Sequence, residues 1–419
     1  MEILIKKNDF FRKLQGLLFG LVIVCIPFQD FILQETILGD FGRYLSNIPL
    51  VLVVFCSLVR MFLCKNVYRK EYIYYIITLL YIIIYSLIIL IKFIDNIYLD
   101  LYLYKVFSNL ILFFLWGYVY IYVKYINIEF LKKYIIIAYV IHIIGWFLHD
   151  ILKINLGYIR VTNSVESMRY SGFLSEASVF CFTTIILGLL TAYYIKNKFV
   201  KFLIVFVSLV IATLGGSKGT IICLVISIIM LVLLNSQINR LKKMIVVLLL
   251  SILGAYSIYY FVSDSFIVDL EEYTSFATRM SSIISAGFIL VEYPLGTGFG
   301  AFIPIYQNIL GEAFDFLNSY MISIPLNYNE IMNIILAREG KSVTIKNIVF
   351  QYIAYFGIPF IVVFFKYVKV NLYLLMLKKN YYLLFSFIFI IFSLITFANI
   401  GYAPILMLGL ISNKISRKG

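Results

Sequence analysis

Long apolar runs, cut by short polar segments, are the dominant pattern of this chain. A membrane-spanning helix needs roughly 20 mostly apolar residues. Runs of that kind cover 15–33, 46–64, 73–93, 101–123, 134–151, 173–195, 200–215, 218–235, 244–262, 347–368, 380–397 and 401–413. They predict an all-α polytopic membrane protein with about 12 transmembrane helices (11–13), the last run being short. The pattern changes once, at 263–346, the large hydrophilic region of the chain. A loop of that length in a compact protein usually carries function. Its first part, TSFATRMSSIISAGFILVEYP, sets Met280, Ile283, Ile284, Phe288 and Val291 near helical spacing. That spacing predicts an amphipathic helix lying on the outer membrane face and ended by Pro294. No internal repeat stands out, which counts against a transporter built from two related halves.

Composition gives the same class. Of 419 residues, 63% are hydrophobic and 13% charged, with a mean hydropathy of +0.99; soluble domains run near half apolar and a quarter charged. The whole of 1–419 therefore reads as one multi-span membrane domain. MEILIKKNDFFRK ahead of the first apolar run, with no small-residue cleavage site, reads as an uncleaved signal-anchor. The net charge of +14 could suggest nucleic acid, but its distribution excludes that. With both termini inside, the clusters Lys6, Lys7, Arg12, Lys13; Lys65, Arg69, Lys70; Arg240, Lys242, Lys243; and Lys366, Lys369, Lys378, Lys379 all fall on the cytoplasmic side. Basic loops resist translocation, so the charge records topology. Most acidic residues, among them Asp30, Glu35, Asp40, Asp95, Asp100 and Asp150, fall on the other side.

Against this background the external cations are the exceptions: Lys153, Arg160 and Arg169 in a loop at 152–170, Lys218 at a tight turn, and Arg279, Arg338, Lys341 and Lys346 in the loop at 263–346. Arg169 and Glu176 bracket RYSGFLSE at the mouth of an apolar run. Charges are costly in hydrocarbon unless paired. The pair either closes a loop onto a helix end or belongs to an anion site, since arginine forks match phosphate oxygens. Glu176, expected about one turn into its span, would be partly buried, which favours a carboxylate that can act as a general base. GGSKGT at 215–220 lacks nucleotide-loop spacing; Lys218 there either snorkels to the interface or faces an anion. His142 and His149, seven apart on one helix face with Asp150 directed elsewhere, read as structural. The five cysteines, Cys25, Cys56, Cys64, Cys181 and Cys223, have no metal or disulfide spacing and read as small buried hydrophobes. No metal or other cofactor is expected.

Three passages carry a family resemblance. Arg169-Tyr-Ser-Gly172-Phe-Leu-Ser-Glu176 is similar to an R-x-x-G-x-x-x-E stretch opening a central span, with Ala177 where a proline is common. Ser217-Lys218-Gly219 resembles a short Ser-Arg/Lys-Gly turn. Thr278-Arg279 followed by Tyr293-Pro294-Leu295-Gly296-Thr297-Gly298-Phe299-Gly300 resembles an arginine, an amphipathic helix and a P-x-G-x-G run. Their order, over about 150–420, resembles the O-antigen polymerase and ligase superfamily, membrane enzymes that handle polyprenyl-diphosphate-linked glycans. Ligases tend to carry a histidine about eleven residues before a glycine in the span after the long loop. Counting back from Gly357 reaches Lys346, and the long loop has no histidine, which favours polymerase over ligase.

The resemblance implies a GT-C-like membrane glycosyltransferase that extends undecaprenyl-diphosphate-linked repeat units on the outer face of the bacterial cytoplasmic membrane. The product would be a surface polysaccharide, O-antigen (the lipopolysaccharide polymer) or capsule. Arg169 and Arg279 would stabilise the leaving diphosphate, supported by Arg160, Lys218 and Arg338. Glu176 would either activate the acceptor hydroxyl or orient an arginine. A chain-length regulator and a flippase are the partners implied. The rival class, a lipid-linked oligosaccharide flippase, needs charges spread through the spans, and here Lys105 is the main mid-span candidate.

Overall fold

The computed structural model describes residues 2–416 apart from 30, 37–38, 65–69, 92–98, 157–169, 175, 236–238, 240, 247, 250–251, 253–274, 321–327, 337–342 and 398–400. Among the described residues the chain is helical, with a lone antiparallel bridge between Gln29 and Tyr44 and no strand. The principal helices are α1 (Glu2–Val24), α2 (Asn47–Cys64), α3 (Lys70–Ile91), α4 (Leu99–Tyr125), α5 (Lys132–Trp146), α6 (Ala177–Tyr194), α7 (Lys198–Leu214), α8 (Lys218–Leu234), α9 (Ser275–Glu292), α10 (Phe302–Tyr320), α11 (Asn329–Ile335), α12 (Ile348–Leu377), α13 (Tyr381–Thr396) and α14 (Ala403–Ser416). Among the described residues, five helical segments are long and apolar enough to cross a membrane, Ile73–Ile91, Val106–Tyr125, Ile128–Ile151, Ala177–Tyr194 and Ile348–Leu377, and four shorter apolar helices accompany them. Phe55, Tyr74, Ile84, Phe199, Phe202, Val363 and Phe365 are each more than half exposed. Apolar surface turned outward on this scale suits lipid and would be a liability in water. The expected span at 244–262 lies largely outside the described residues.

One boundary differs plainly from expectation. The first apolar run, 15–33, does not form one helix: α1 covers Glu2–Val24 and stops three residues short of Pro27. Proline lacks an N–H and disfavours helix in the residue before it, so the run breaks there.

The chain forms two compact units, Met1–Leu79, Ile111–Ile221 and Ile400–Gly419 in one, Leu80–Leu110 and Ile222–Asn399 in the other. In the first unit α6 is the core helix. Nearly every residue from Val179 to Tyr194 is buried, while α7 beside it turns Phe199, Phe202, Phe206 and Leu214 outward. Close approach comes from small residues: a Cβ on Gly188 would lie 2.1 Å from Ser208 Oγ, and Ser208 Oγ pairs with Tyr139 OH at 2.8 Å. In lipid, helices associate through such small-residue contacts and hydrogen bonds, because neighbouring apolar groups gain little by leaving hydrocarbon.

The second unit follows the same rule in α9. The stripe Met280, Ile283, Ile284, Phe288, Val291 forms, but it is not the buried face. Ala277, Thr278, Ser281, Ser282, Ser285, Ala286 and Ile289 are buried instead, against α10 and α12, while Val291 is 80% exposed. Ser282 Oγ pairs with Tyr306 OH at 2.7 Å, and Ser285 Oγ donates to Ser281 O at 2.7 Å.

A second device joins the loop after α9 to α12. Helix α12 is broken at Gly357, whose φ is 56° and ψ −142°. Pro359 has no N–H to offer the carbonyl of Tyr355, and the break turns the Ile358 N–H away from the carbonyl of Ala354. The 294–298 segment meets all three groups. Thr297 N donates to Ala354 O (2.9 Å), Gly298 N to Tyr355 O (2.9 Å), and Ile358 N to Pro294 O (2.8 Å). Helix α3 reinforces the joint: Tyr85 OH donates to Gly296 O at 2.8 Å, and Phe299 N to Ser86 Oγ at 3.1 Å. Irregular backbone in an apolar surround survives where its polar groups are met by protein. The P-x-G-x-G run is therefore half of a backbone joint.

Candidate functional site

The turn Tyr170–Glu176 is built against the end of α5. Beyond Trp146 the helix widens into a π-turn, Phe147–Ile151, closed by the bond from Leu152 N to Phe147 O at 2.9 Å. Such turns insert one extra residue and re-aim side chains. Here the effect falls on Asp150, which is 4% exposed. Its Oδ1 accepts from His149 Nδ1 at 2.7 Å. Ser171 N donates to both carboxylate oxygens at 3.1 Å, and Gly172 N to Oδ2 at 2.9 Å. This corrects the expectation that Asp150 is directed elsewhere: within the wide turn the His149 and Asp150 side chains meet. His142 does read as expected, buried, with Nε2 2.8 Å from Thr184 Oγ1.

Gly172 requires its residue type. Its φ is +55°, and an added Cβ would lie 3.0 Å from Phe180 and 3.2 Å from Trp146 N. Around it Phe173 packs on Gly145, where a Cβ would come within 2.3 Å of the ring. Phe173 also meets Phe28 at 4.9 Å, and Tyr170 meets Trp146 edge-on at 6.1 Å. The glycine of the R-x-x-G stretch is thus fixed by backbone geometry and crowding.

Glu176 is the N-cap residue of α6, with φ −112° and ψ 126°, and its side chain makes no capping bond. It is exposed, not a turn inside the span. The burial expected for it is absent, because the chain enters helix at Ala177 after the clamped turn. A carboxylate at a helix N-terminus sits favourably in the dipole. Lys218 opens α8 after a tight turn in which Gly216 has φ 69° and Ser217 Oγ accepts from Thr220 Oγ1 at 2.9 Å. That turn lies beside the start of α6, since a Cβ on Gly215 would be 2.4 Å from Cys181 Sγ. Asp150, His149, Glu176 and Lys218 therefore gather at one end of the first unit. Arg160 and Arg169 lie outside the described residues.

Arg279 belongs to the second unit, half-buried in α9. Its neighbour Thr278 donates from Oγ1 to Glu330 Oε2 at 2.8 Å, and Lys346 Nζ meets Glu330 Oε1 at 3.1 Å. Glu330, on α11, escaped the sequence reading because no motif marks it. Burial pushes the Tyr306 phenol up, the Ser282 hydrogen bond pulls it partway back, and the Glu330 charge adds to the rise. Tyr306 is thereby kept a neutral hydrogen-bonding group. Arg338 lies outside the described residues, as does Lys341.

No family model matches the chain. It is 29% identical over 262 residues to an uncharacterized 49.5 kDa protein in the cps region of Klebsiella pneumoniae, a match covering 62% of this chain and 59% of that relative's length. The similarity links the chain to a capsule-region protein without naming a family.

Proposed function

We propose that the chain is a membrane glycosyltransferase that polymerises undecaprenyl-diphosphate-linked repeat units into a surface polysaccharide. The observation that carries this reading is the likeness to a capsule-region (cps) protein. The ordered motif resemblance and the gathering of Asp150, Glu176 and Lys218 at one end of the first unit support it. In the proposed reaction the bond from the growing glycan's anomeric carbon to the lipid diphosphate breaks, and a bond to an acceptor sugar hydroxyl forms. The diphosphate leaves with the electron pair, so its charge has to be stabilised. Arg169 and Arg279 are assigned that role, with Arg160, Lys218 and Arg338 in support. Glu176, exposed at its helix start, either takes the hydroxyl proton or orients an arginine. A GT-C-like arrangement of about 12 spans, both termini inside and the site on the outer face, belongs to the same proposal.

The test is reconstitution in liposomes with a lipid-diphosphate-linked repeat unit and EDTA present, products being resolved as a gel ladder. The expected result is a ladder that disappears in Arg169→Ala. Glycan carried across the liposome wall with no ladder would overturn the reading in favour of a transporter.

A further inference from the structure

We infer that Asp150 is the positioning residue of the first-unit site: its carboxylate clamps the Ser171–Gly172 backbone and so sets where Glu176 stands at the start of α6. The inference rests on the transferase reading above. Three observations carry it. Asp150 is almost fully buried at the far end of α5, yet its oxygens go to backbone N–H groups 21 and 22 residues away and to His149, within hydrogen-bond reach in each case. A buried carboxylate is costly unless its acceptors are met. Here both oxygens are met by the turn itself, so the turn and the carboxylate hold each other. Asp150 stands within the π-turn Phe147–Ile151, a form that is rare and found mostly at functional sites.

The clamp also has a direction. Ser171 O accepts from Leu174 N at 2.9 Å, and Glu176 O from Phe180 N at 3.0 Å. These bonds hold Ser171–Leu174 on one side and the Glu176 carbonyl at the start of α6 on the other. Gly172, held at φ +55°, is the pivot. The bonds of Asp150 go to His149 and to the Ser171 and Gly172 amides and not to Glu176, so its effect on chemistry passes through backbone placement. Errors of about 1 Å in a reacting group can lower a rate by roughly 100-fold.

Two readouts test this on the full-length protein in detergent or nanodiscs. Amide hydrogen exchange is measured over 170–180 in the wild type and in Asp150→Asn, which keeps shape but replaces one acceptor oxygen by an N–H donor. The clamp requires slow exchange at Ser171 and Gly172 in the wild type and at least tenfold faster exchange in the variant, with the interior of α6 unchanged. In the ladder assay, Asp150→Asn should lower kcat by about 10- to 100-fold and leave KM for the lipid-linked unit within a few-fold. Asp150→Glu, charge kept but carboxylate displaced, replaces it if the first variant does not fold. Fast exchange at Ser171 and Gly172 in the wild type overturns the clamp whatever the variants do. Lost protection with unchanged kcat overturns the positioning role. Slow wild-type exchange with no wild-type ladder overturns the role in glycan transfer and places the fault in the functional reading, not in the geometry.

Discussion

Gly357 offers the sharpest test of how this chain is held together. Alanine there meets two obstacles. The backbone, at φ 56° and ψ −142°, lies in a region essentially reserved for glycine, at a strain of about 1–3 kcal/mol. The new Cβ would also lie 2.0 Å from Pro294 O and 2.7 Å from Gly296 N. Neither neighbour is a flexible side-chain tip, so the 294–298 segment has to retreat. Overpacking of that kind costs about 1–3 kcal/mol. The retreat loosens the Ile358 N to Pro294 O bond, worth about 1 kcal/mol. Together the effects come to roughly 3–7 kcal/mol, in the range where a single substitution unfolds a marginal protein. Gly287 is the internal control. It lies within α9, at an exposed position where a Cβ would have nothing within 4 Å. Alanine should hold or raise stability there, by up to about 1 kcal/mol of helix preference. Thermal unfolding in detergent, followed by size-exclusion of the surviving monomer, reads both. The expected order is Gly287→Ala at or above wild type and Gly357→Ala far below. A Gly357→Ala protein that melts with the wild type would refute the joint.

Three further outcomes are expected. Arg169→Lys should lose most polymer in the ladder assay despite keeping its charge, because a two-pronged contact to phosphate becomes a single one; an unchanged length distribution would remove Arg169 as the diphosphate fork. Glu176→Gln should lower turnover in the same assay, and turnover unchanged at every pH would leave Glu176 with no part as a base. Glu330→Gln should move the melting point little, since the Lys346 pair is partly exposed and such pairs contribute at most about 1 kcal/mol. Its effect should appear in activity instead, through Thr278 and the adjoining Arg279, and full activity would separate that cluster from the site.

Much of the helix layout is legible in the apolar runs, because lipid imposes length and composition directly. The choice of buried face is not. In α9 the apolar stripe was readable, but a pattern rule learned from water would bury it. In α9 the Ala, Thr and Ser face packs inward against α10 and α12, since small side chains and hydroxyl pairs let helices approach closely. Asp150 was misread for a local reason: its direction depends on a π-turn, and nothing in GWFLHDIL announces the extra residue. Gly172 and the glycines of 294–300 stand out in the sequence as parts of motifs, but the groups they pack against do not. The Ala354–Ile358 partner of that run lies far along the chain and looks like an ordinary apolar stretch, with Pro359 its one local signal. At the site, Glu176 and Lys218 stand in separate motifs whose nearness shows only in the fold, and the Glu330–Lys346 pair carries no motif and could be found only from geometry.

The joint between Pro294–Phe299 and the Gly357 break has a consequence for engineering and for descent. The stretch at 263–346 resembles a detachable insert, a natural cassette for swapping specificity between relatives. Its backbone is stitched to carbonyls that lie beyond its own end and to a helix that stands 211 and 213 residues earlier at the two contacts. A transplanted cassette would arrive with one half of a fastening and none of the other. Successful chimeras should be those whose crossover points keep Tyr85–Ser86, Pro294–Phe299 and Ala354–Pro359 from a single parent, and substitutions in these three segments should be inherited together.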